Sequence, residues 1–157
     1  MSLPSLEESK TLIESTLPGV GVQVESGYLV VEPKHLAALC RYLKDSDRFS
    51  LDYVANLTAI DYPPERIEVV YHLYSMAKKH GPVALKVKLP RATPTVVSVT
   101  PIWRGAEFQE REVYDLYGVT FDGHPDLRRI LMWDGFEGHP MRKDYVVEDQ
   151  DALEKQP

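Results

Sequence analysis

Ionisable side chains are concentrated in residues 103–144, and their types and spacing raise the question of what chemistry they could do. This stretch has no cysteine, and its glycines are too isolated to form a loop that cradles phosphate. It is therefore either an unfamiliar active site or a surface that meets charged partners. The residues that stand out are Glu110, Arg111, Glu112, Asp115, His124, Arg128, Arg129, Arg142, Lys143 and Asp144.

A metal site is one candidate chemistry for this region. His124, Asp126 and His139 could supply ligands. Asp122 or Asp134 would complete the set. The spacing matches no compact ligand motif such as His-Glu-x-x-His, and His-Pro pairs favour extended turns, so the pattern does not favour a metal.

Acid–base catalysis finds equally little support. Glu107, Arg111 and Asp115 are spaced i, i+4 and i+8, which is typical of an exposed ladder of ion pairs on a solvated helix face. Glu110 and Glu112 point to different sides of the same helix, so they cannot act as facing carboxylates. The basic pairs at 128–129 and 142–143 are better suited to binding the carboxylates of a neighbouring protein.

Composition limits the remaining classes. The chain has 157 residues, of which 43% are hydrophobic and 27% charged, as in one globular domain with its own core. The net charge of -6 disfavours nucleic acid and anionic lipid as partners. The single cysteine, Cys40, excludes an intrachain disulfide and any iron–sulfur cluster held only by thiolates of this chain. It lies between Leu39 and Leu43, so we expect a buried thiol.

The sequence shows no segment for membrane insertion or export. No apolar run approaches the roughly 20 residues that span a bilayer. The N-terminus lacks the basic and apolar regions of a signal peptide. We therefore expect a chain that is neither inserted nor exported by itself.

The first half of the chain alternates between predicted helices and strands. Ser5 and Glu8 have capping-box spacing and predict a first helix that ends before Pro18. Residues 20–24 and 28–31 predict a hairpin with a glycine in its loop. Pro33 suits the first position of a second helix, which we expect to end near Asp45.

The second half is predicted to be richer in strands. Residues 49–60 predict a strand that 61–64 break, and the alternation in 67–74 and 83–89 predicts an antiparallel pair. Residues 95–99 predict a short strand. Thr100 and Pro101 resemble the start of a third helix that Gly118 closes, and beyond Val119 the periodicity disappears.

These elements predict an α+β fold with a mainly antiparallel sheet and helices packed on one face. We divide the chain into an α/β sandwich domain at 1–120 and an extended irregular C-terminal tail at 121–157. Residues 148–157 are polar enough to fray. Apolar side chains in 121–145 follow no period, so they need a covering surface, which makes the tail a predicted partner-binding segment.

Three runs resemble the signature of one family, the C subunit of NADH-quinone oxidoreductase, the respiratory complex I. The runs are EREVYDLYGVTF at 110–121, GHPDLRRIL at 123–131 and HPMRKDY at 139–145. The match covers 103–145 and is looser before that. Phe108 stands where the family often has Trp, and Met141 where Leu is usual, which keeps apolar bulk in both places.

The resemblance implies a cofactor-free accessory subunit of the hydrophilic arm. Such a subunit scaffolds the quinone-reducing module, which couples electron transfer to proton translocation, and has no catalytic centre of its own. NADH, FMN, iron–sulfur clusters and quinone would be bound elsewhere in the complex. The implied partners are the large quinone-site subunit, the small subunit with the terminal iron–sulfur cluster and other hydrophilic-arm subunits. The implied location is peripheral, on the cytoplasmic side of the bacterial inner membrane.

Alternatives remain at this point. The same domain occurs in related membrane-bound hydrogenases and in ferredoxin- or F420-linked dehydrogenases. In some bacteria it is fused to the large partner, and we expect separate polypeptides here because the chain stops soon after the tail. A different class of function is a stand-alone metal-dependent enzyme that uses His124, Asp126 and His139.

Overall fold

The computed structural model describes residues 2–147. The α-helices are α1 (Leu6–Thr16), α2 (Leu36–Asp45) and α3 (Glu107–Tyr117). The strands are β1 (Gln23–Glu25), β2 (Tyr28–Val30), β3 (Tyr53–Tyr62), β4 (Arg66–Ser75), β5 (His80–Pro90), β6 (Thr95–Val97) and β7 (Thr120–Asp122). Short 3-10 helices at Pro33–His35 and Arg104–Ala106 lead into α2 and α3.

Five strands form the main sheet, in the order β1-β2-β5-β4-β3. All neighbours are antiparallel except β2 and β5, which run parallel. The register aligns Tyr71 of β4 with Leu57 on one side and Leu85 on the other, so one face of the sheet is apolar. The helices cover this face with Ile13 of α1, Leu39 of α2 and Val113 of α3. The predicted α+β class is confirmed.

Local sequence explains the first two helices. The Ser5 hydroxyl accepts from the Glu8 amide at 3.3 Å, and the Glu8 carboxylate accepts from the Ser5 amide at 2.8 Å, which is a capping box. The α2 residues Leu39, Cys40 and Leu43 are all 0% exposed. Burial raises the pKa of the Cys40 thiol, as for a structural rather than reactive cysteine.

Three predicted boundaries are wrong. Helix α3 begins at Glu107 rather than at Thr100, because the Thr100 hydroxyl donates to the Glu110 carboxylate at 3.1 Å and does not cap a helix. Pro33 opens a 3-10 turn, and α2 starts at Leu36. Strand β3 begins at Tyr53 rather than at residue 49, and it continues to Tyr62.

The predicted loss of regular structure beyond Val119 is confirmed for residues 123–147 but is wrong for Thr120–Asp122. Strand β7 pairs in parallel with β6, with Phe121 opposite Val96. Phe121 is only 2% exposed. The strand crosses the predicted boundary between residues 120 and 121. The predicted fraying of 148–157 lies outside the described residues.

Across residues 2–147, no helix has both the length and the apolar character that crossing a membrane requires.

Candidate partner-binding surface

The C-terminal tail packs on α3. Some of the predicted site residues lie on α3, and the others lie on the tail. On α3, Glu110, Arg111 and Asp115 are 0%, 6% and 0% exposed. A helix side chain this deeply buried needs polar partners, since an unpaired buried charge costs several kcal/mol. The tail supplies the partners of the Arg111 and Asp115 side chains from residues 128–132.

Asp115 is the centre of the contact between α3 and the tail. Its Oδ2 accepts hydrogen bonds from three consecutive amides, those of Ile130 at 3.0 Å, Leu131 at 2.7 Å and Met132 at 2.9 Å. Its Oδ1 accepts from Nη1 of Arg129 at 2.6 Å. Burial alone would raise the pKa of Asp115, but these donors outweigh it and lower the pKa. The ionised carboxylate therefore holds the tail backbone in a fixed turn.

Two arginines complete this contact. Arg111 donates through Nε to the carbonyl of Arg128 at 3.1 Å and through Nη2 to the carbonyl of Arg129 at 3.0 Å. Arg129 donates from Nη2 to the carbonyl of Gly138 at 2.9 Å. The predicted exposed ladder of Glu107, Arg111 and Asp115 is wrong, because tail residues 14 or more positions away supply the partners of Arg111 and Asp115. Helical spacing alone cannot reveal such distant partners.

The tail also satisfies carbonyl groups at the end of α3. The ring nitrogen Nδ1 of His139 donates to the Asp115 carbonyl at 3.0 Å, and Arg142 donates through Nε to the Tyr117 carbonyl at 2.7 Å. The Met141 amide donates to the Leu116 carbonyl at 3.1 Å. The last carbonyls of a helix lack partners within it, so these contacts complete the helix. Burial lowers the pKa of His139 and favours its neutral form.

Gly118 allows this close contact. It ends α3 in the left-handed region at a φ of 74°, and an added Cβ would lie 2.6 Å from the His139 ring. We expect Gly118→Ala to destabilise the protein by about 2 kcal/mol or more, since left-handed backbone alone costs an alanine about 1 kcal/mol. The change should appear in the urea midpoint. Gly105→Ala, where an added Cβ meets no heavy atom within 4 Å, is the control and should shift it far less. Equal shifts of the urea midpoint in the two variants would contradict the close contact between Gly118 and the His139 ring.

A second anchor fastens the end of the tail to the sheet. Asp61 of β3 is 2% exposed and receives two hydrogen bonds from Arg91, from Nε at 2.6 Å and from Nη2 at 3.0 Å. Its Oδ2 also accepts from the Lys143 amide at 2.8 Å, and Arg91 reaches Asp144 at 2.7 Å. The hydrogen bonds from Arg91 are the main cause of the lowered pKa of Asp61. Sequence reasoning treated Asp61 only as a strand breaker, and no local signal links it to residue 143.

Glu110 lies inside the domain. Its Oε1 accepts from the Val99 amide at 2.7 Å, and its Oε2 accepts from the hydroxyls of Ser98 at 2.5 Å and Thr100 at 3.1 Å. Nε2 of His124 is 3.9 Å from the same Oε2. Burial raises the pKa of Glu110. These hydrogen bonds let the Glu110 carboxylate hold the loop before α3, at residues 98–100, in place.

The two histidines of this region, His124 and His139, form hydrogen bonds with backbone groups. His124 donates from Nε2 to the Glu107 carbonyl at 2.9 Å and accepts at Nδ1 from the Asp126 amide at 3.0 Å. Asp126 pairs with Arg128 at 2.9 Å on the surface. Within the described part of the chain, no three His, Cys, Asp or Glu side chains are grouped to hold a metal ion. The structure does not bring His124, Asp126 and His139 together as a ligand set.

The tail turns apolar side chains outward while its backbone faces α3. Ile130, Leu131, Trp133 and Met141 are 38%, 56%, 45% and 53% exposed. Trp133 packs edge-on against Phe136 at 4.9 Å. Large apolar side chains exposed on a fixed backbone are typical of a protein-binding surface. We call Ile130, Leu131, Trp133 and Met141 the apolar rim.

The predicted interface residues thus have different surroundings. Arg128, Glu112, Lys143 and Asp144 are exposed, whereas Glu110 and Asp115 have no surface to offer a partner. Their interface role stays a prediction, and for the buried residues it can only be indirect. The sequence analysis missed Ser98, Thr100, Asp61 and Arg91.

Comparison with known proteins identifies a family. The family model described as "Respiratory-chain NADH dehydrogenase, 30 Kd subunit" matches residues 29–151. The C subunit of NADH-quinone oxidoreductase from Moorella thermoacetica is 48% identical over 131 residues, which are 83% of this chain and 85% of that protein. The C subunit numbered 2 from Rhizobium meliloti is 46% identical over 119 residues, or 74% of this chain. The chain spans only 64% of the length of that relative.

Two solved structures resemble the fold. A trypsin-resistant fragment of Nqo5 aligns over 78% of this chain and all of the fragment, with a TM-score of 0.59 and 30% identity. A chain of the membrane-bound sulfane sulfur reductase, described as an archaeal respiratory membrane complex, aligns over 95% of this chain and 90% of its own length. Its TM-score is 0.73 at 25% identity.

Proposed function

The chain belongs to the family of the 30 kDa subunit of respiratory-chain NADH dehydrogenase, and from this premise we propose that it is a non-catalytic scaffold subunit. Its role would be to bind neighbouring subunits through the tail and hold the quinone-reducing module in shape. The catalytic work of the complex, electron transfer from NADH to quinone coupled to proton translocation, would be done by other chains.

The observation that carries this proposal is the two-sided construction of the tail. Buried Asp115 and Arg111 fix the tail backbone, while the apolar rim faces solvent. A backbone held in place before binding loses little conformational entropy when a partner covers the rim. This construction supports a binding role, since the side chains of the apolar rim are neither acids nor bases.

We propose that the partners are the large quinone-site subunit, the small subunit with the terminal iron–sulfur cluster and other hydrophilic-arm subunits. FMN, iron–sulfur clusters and quinone would belong to those chains, and this chain would bind none. The assembly would be peripheral on the cytoplasmic side of the bacterial inner membrane. The likeness to the sulfane sulfur reductase chain supports a second candidate, an equivalent subunit in a related respiratory complex with another electron donor or acceptor.

The test of this function is Leu131→Asp. Leu131 is 56% exposed, so the isolated variant should keep its melting temperature. In the complex, an aspartate would be buried without a partner, which costs several kcal/mol. We expect the amount of intact complex in membranes to fall about 100-fold or more, together with quinone reductase activity, as such a cost implies.

Met76→Asp is the matched control. Met76 is 64% exposed and follows the last residue of β4, outside the tail. We expect it to leave complex assembly unchanged. If Leu131→Asp assembled fully but lost turnover, the scaffold role would be wrong and a direct part in the chemistry would follow.

A further inference from the structure

The Tyr71 hydroxyl is buried in the core without a hydrogen-bond partner. Tyr71 lies on β4, between Leu57 of β3 and Leu85 of β5, and belongs to the core cluster that the helices cover. It is 0% exposed, and within residues 2–147 no protein group forms a hydrogen bond with its Oη. A buried hydroxyl without a partner destabilises a fold, so native proteins rarely leave one unpaired.

Two other polar side chains lie near this hydroxyl in the core. Cys40 of α2 and Glu110 of α3 are both 0% exposed, as Tyr71 is. Burial is the main cause that raises the pKa of Tyr71, and Cys40 and Glu110 add to it electrostatically. Glu110 also adds to the raised pKa of Cys40, so the three groups are mutual neighbours. One strand and two helices thus each contribute a polar side chain to the same part of the core.

These neighbours can form further hydrogen bonds. Among the contacts of the described residues, Oε1 of Glu110 accepts from the Val99 amide alone, at 2.7 Å, whereas a carboxylate oxygen can accept two hydrogen bonds. The Cys40 thiol is a weak donor and a weak acceptor. No direct hydrogen bond joins the Tyr71 hydroxyl to either group. A molecule that bridges them must therefore be small and must both donate and accept, as water does.

We propose that one buried water molecule binds between Tyr71, Cys40 and Glu110. The water accepts from the Tyr71 hydroxyl and donates to Oε1 of Glu110, and the Cys40 thiol is its third neighbour. Buried waters typically form about three hydrogen bonds with polar groups that otherwise lack partners. Glu110 also holds residues 98–100, and the same helix carries Asp115, which binds the tail. The water therefore links β4 and α2 to the helix on which the tail packs.

A high-resolution crystal structure of the full chain tests the site directly. We expect electron density for one water molecule at about 2.8 Å from Oη of Tyr71, the usual distance for a hydrogen bond between two oxygens. The same water should lie within hydrogen-bonding distance of the Glu110 carboxylate. Density that shows no water beside the hydroxyl, or a hydroxyl bonded directly to Cys40 or Glu110, would overturn the proposal.

Tyr71→Phe gives the second measurement, because a paired and an unpaired hydroxyl predict opposite signs. If the hydroxyl binds water, phenylalanine removes that hydrogen bond and leaves the water with fewer partners. We then expect the unfolding equilibrium to shift about fivefold toward the unfolded state, which lowers the urea midpoint. If the hydroxyl is unpaired, phenylalanine removes a destabilising group and the midpoint should rise.

Tyr53→Phe is the matched control for this variant. Tyr53 lies on β3 and is 48% exposed, so loss of its hydroxyl should leave the urea midpoint unchanged. A midpoint that Tyr71→Phe raises, or leaves as unchanged as Tyr53→Phe does, would show that no water is bound at the Tyr71 hydroxyl.

Discussion

Replacement of Asp115 by asparagine is expected to release residues 130–132 from α3 and to prevent assembly, while the sheet stays folded. Asp115 is 0% exposed and accepts from three amides and from Arg129. Asparagine keeps one acceptor oxygen, but its NH2 group would face other donors, and Arg129 would lose its carboxylate. Removing one member of a buried, hydrogen-bonded charge pair costs about 3–5 kcal/mol.

The pH dependence of the stability that Asp115 contributes makes neutral pH suitable for this experiment. The pKa of Asp115 is lowered in the folded chain, because the donors outweigh the opposing effect of burial. Its contribution to stability is therefore fully present above the ordinary aspartate pKa of about 3.9 and is lost only as the pH falls through the lower folded value. At pH 7 the wild-type contact is at full strength.

Amide hydrogen exchange of the isolated chain measures the effect. We expect the amides of Ile130, Leu131 and Met132 to exchange about 100-fold faster or more in Asp115→Asn, since 3 kcal/mol corresponds to about two decades in an opening equilibrium. Asp126→Asn is the control, because Asp126 is 48% exposed and pairs only with the exposed Arg128 among the contacts described. It should change the protection of those amides by less than about 1 kcal/mol. Unchanged exchange in Asp115→Asn would show that the carboxylate does not hold the tail.

The sequence predicted those parts of the fold that depend on local signals. The capping box at Ser5, the apolar stripe of α2 and the alternation in β4 and β5 each arise within a few residues. Strand β7 was missed because its partner β6 lies about 25 residues earlier, so no local hairpin pattern marks it. Pairing at that distance is decided by the tertiary structure.

The sequence drew attention to the charged residues of this region but did not predict their geometry. The concentration of charge singled out Arg111, Asp115 and Arg129, whereas the spacing of Arg111 and Asp115 suggested an exposed ladder on α3. The structure buries Arg111 and Asp115 because the tail backbone presents amides to Asp115 and carbonyls to Arg111. Almost every residue has the same backbone amide and carbonyl, so the sequence cannot show which of these groups will contact a given side chain. Asp61 was missed because its partners, the Arg91 side chain and the Lys143 amide, lie 30 and 82 residues away in the sequence.

The remaining prediction with a large expected effect concerns Glu110, and it separates a structural from an interfacial role. Glu110→Ala would leave the Val99 amide and the Ser98 and Thr100 hydroxyls without their acceptor and would open a cavity beneath α3. We expect a loss of about 3–5 kcal/mol in the free energy of unfolding, from the lost hydrogen bonds and the cavity together. For a domain of this size the melting temperature should fall by roughly 10 °C.

Two variants make this result specific. Glu112→Ala, two residues further along the same helix and exposed, should change the free energy of unfolding by less than about 0.5 kcal/mol. Glu110→Gln keeps the side-chain shape and an acceptor oxygen, and the hydroxyls can rotate to accept from its NH2 group, so it should cost clearly less than alanine. Urea unfolding of the isolated chain measures all three. If Glu110→Gln kept its stability but failed to assemble, Glu110 would act on a partner rather than on the loop before α3. Because Glu110 is 0% exposed, we expect stability and assembly to fall together across the series.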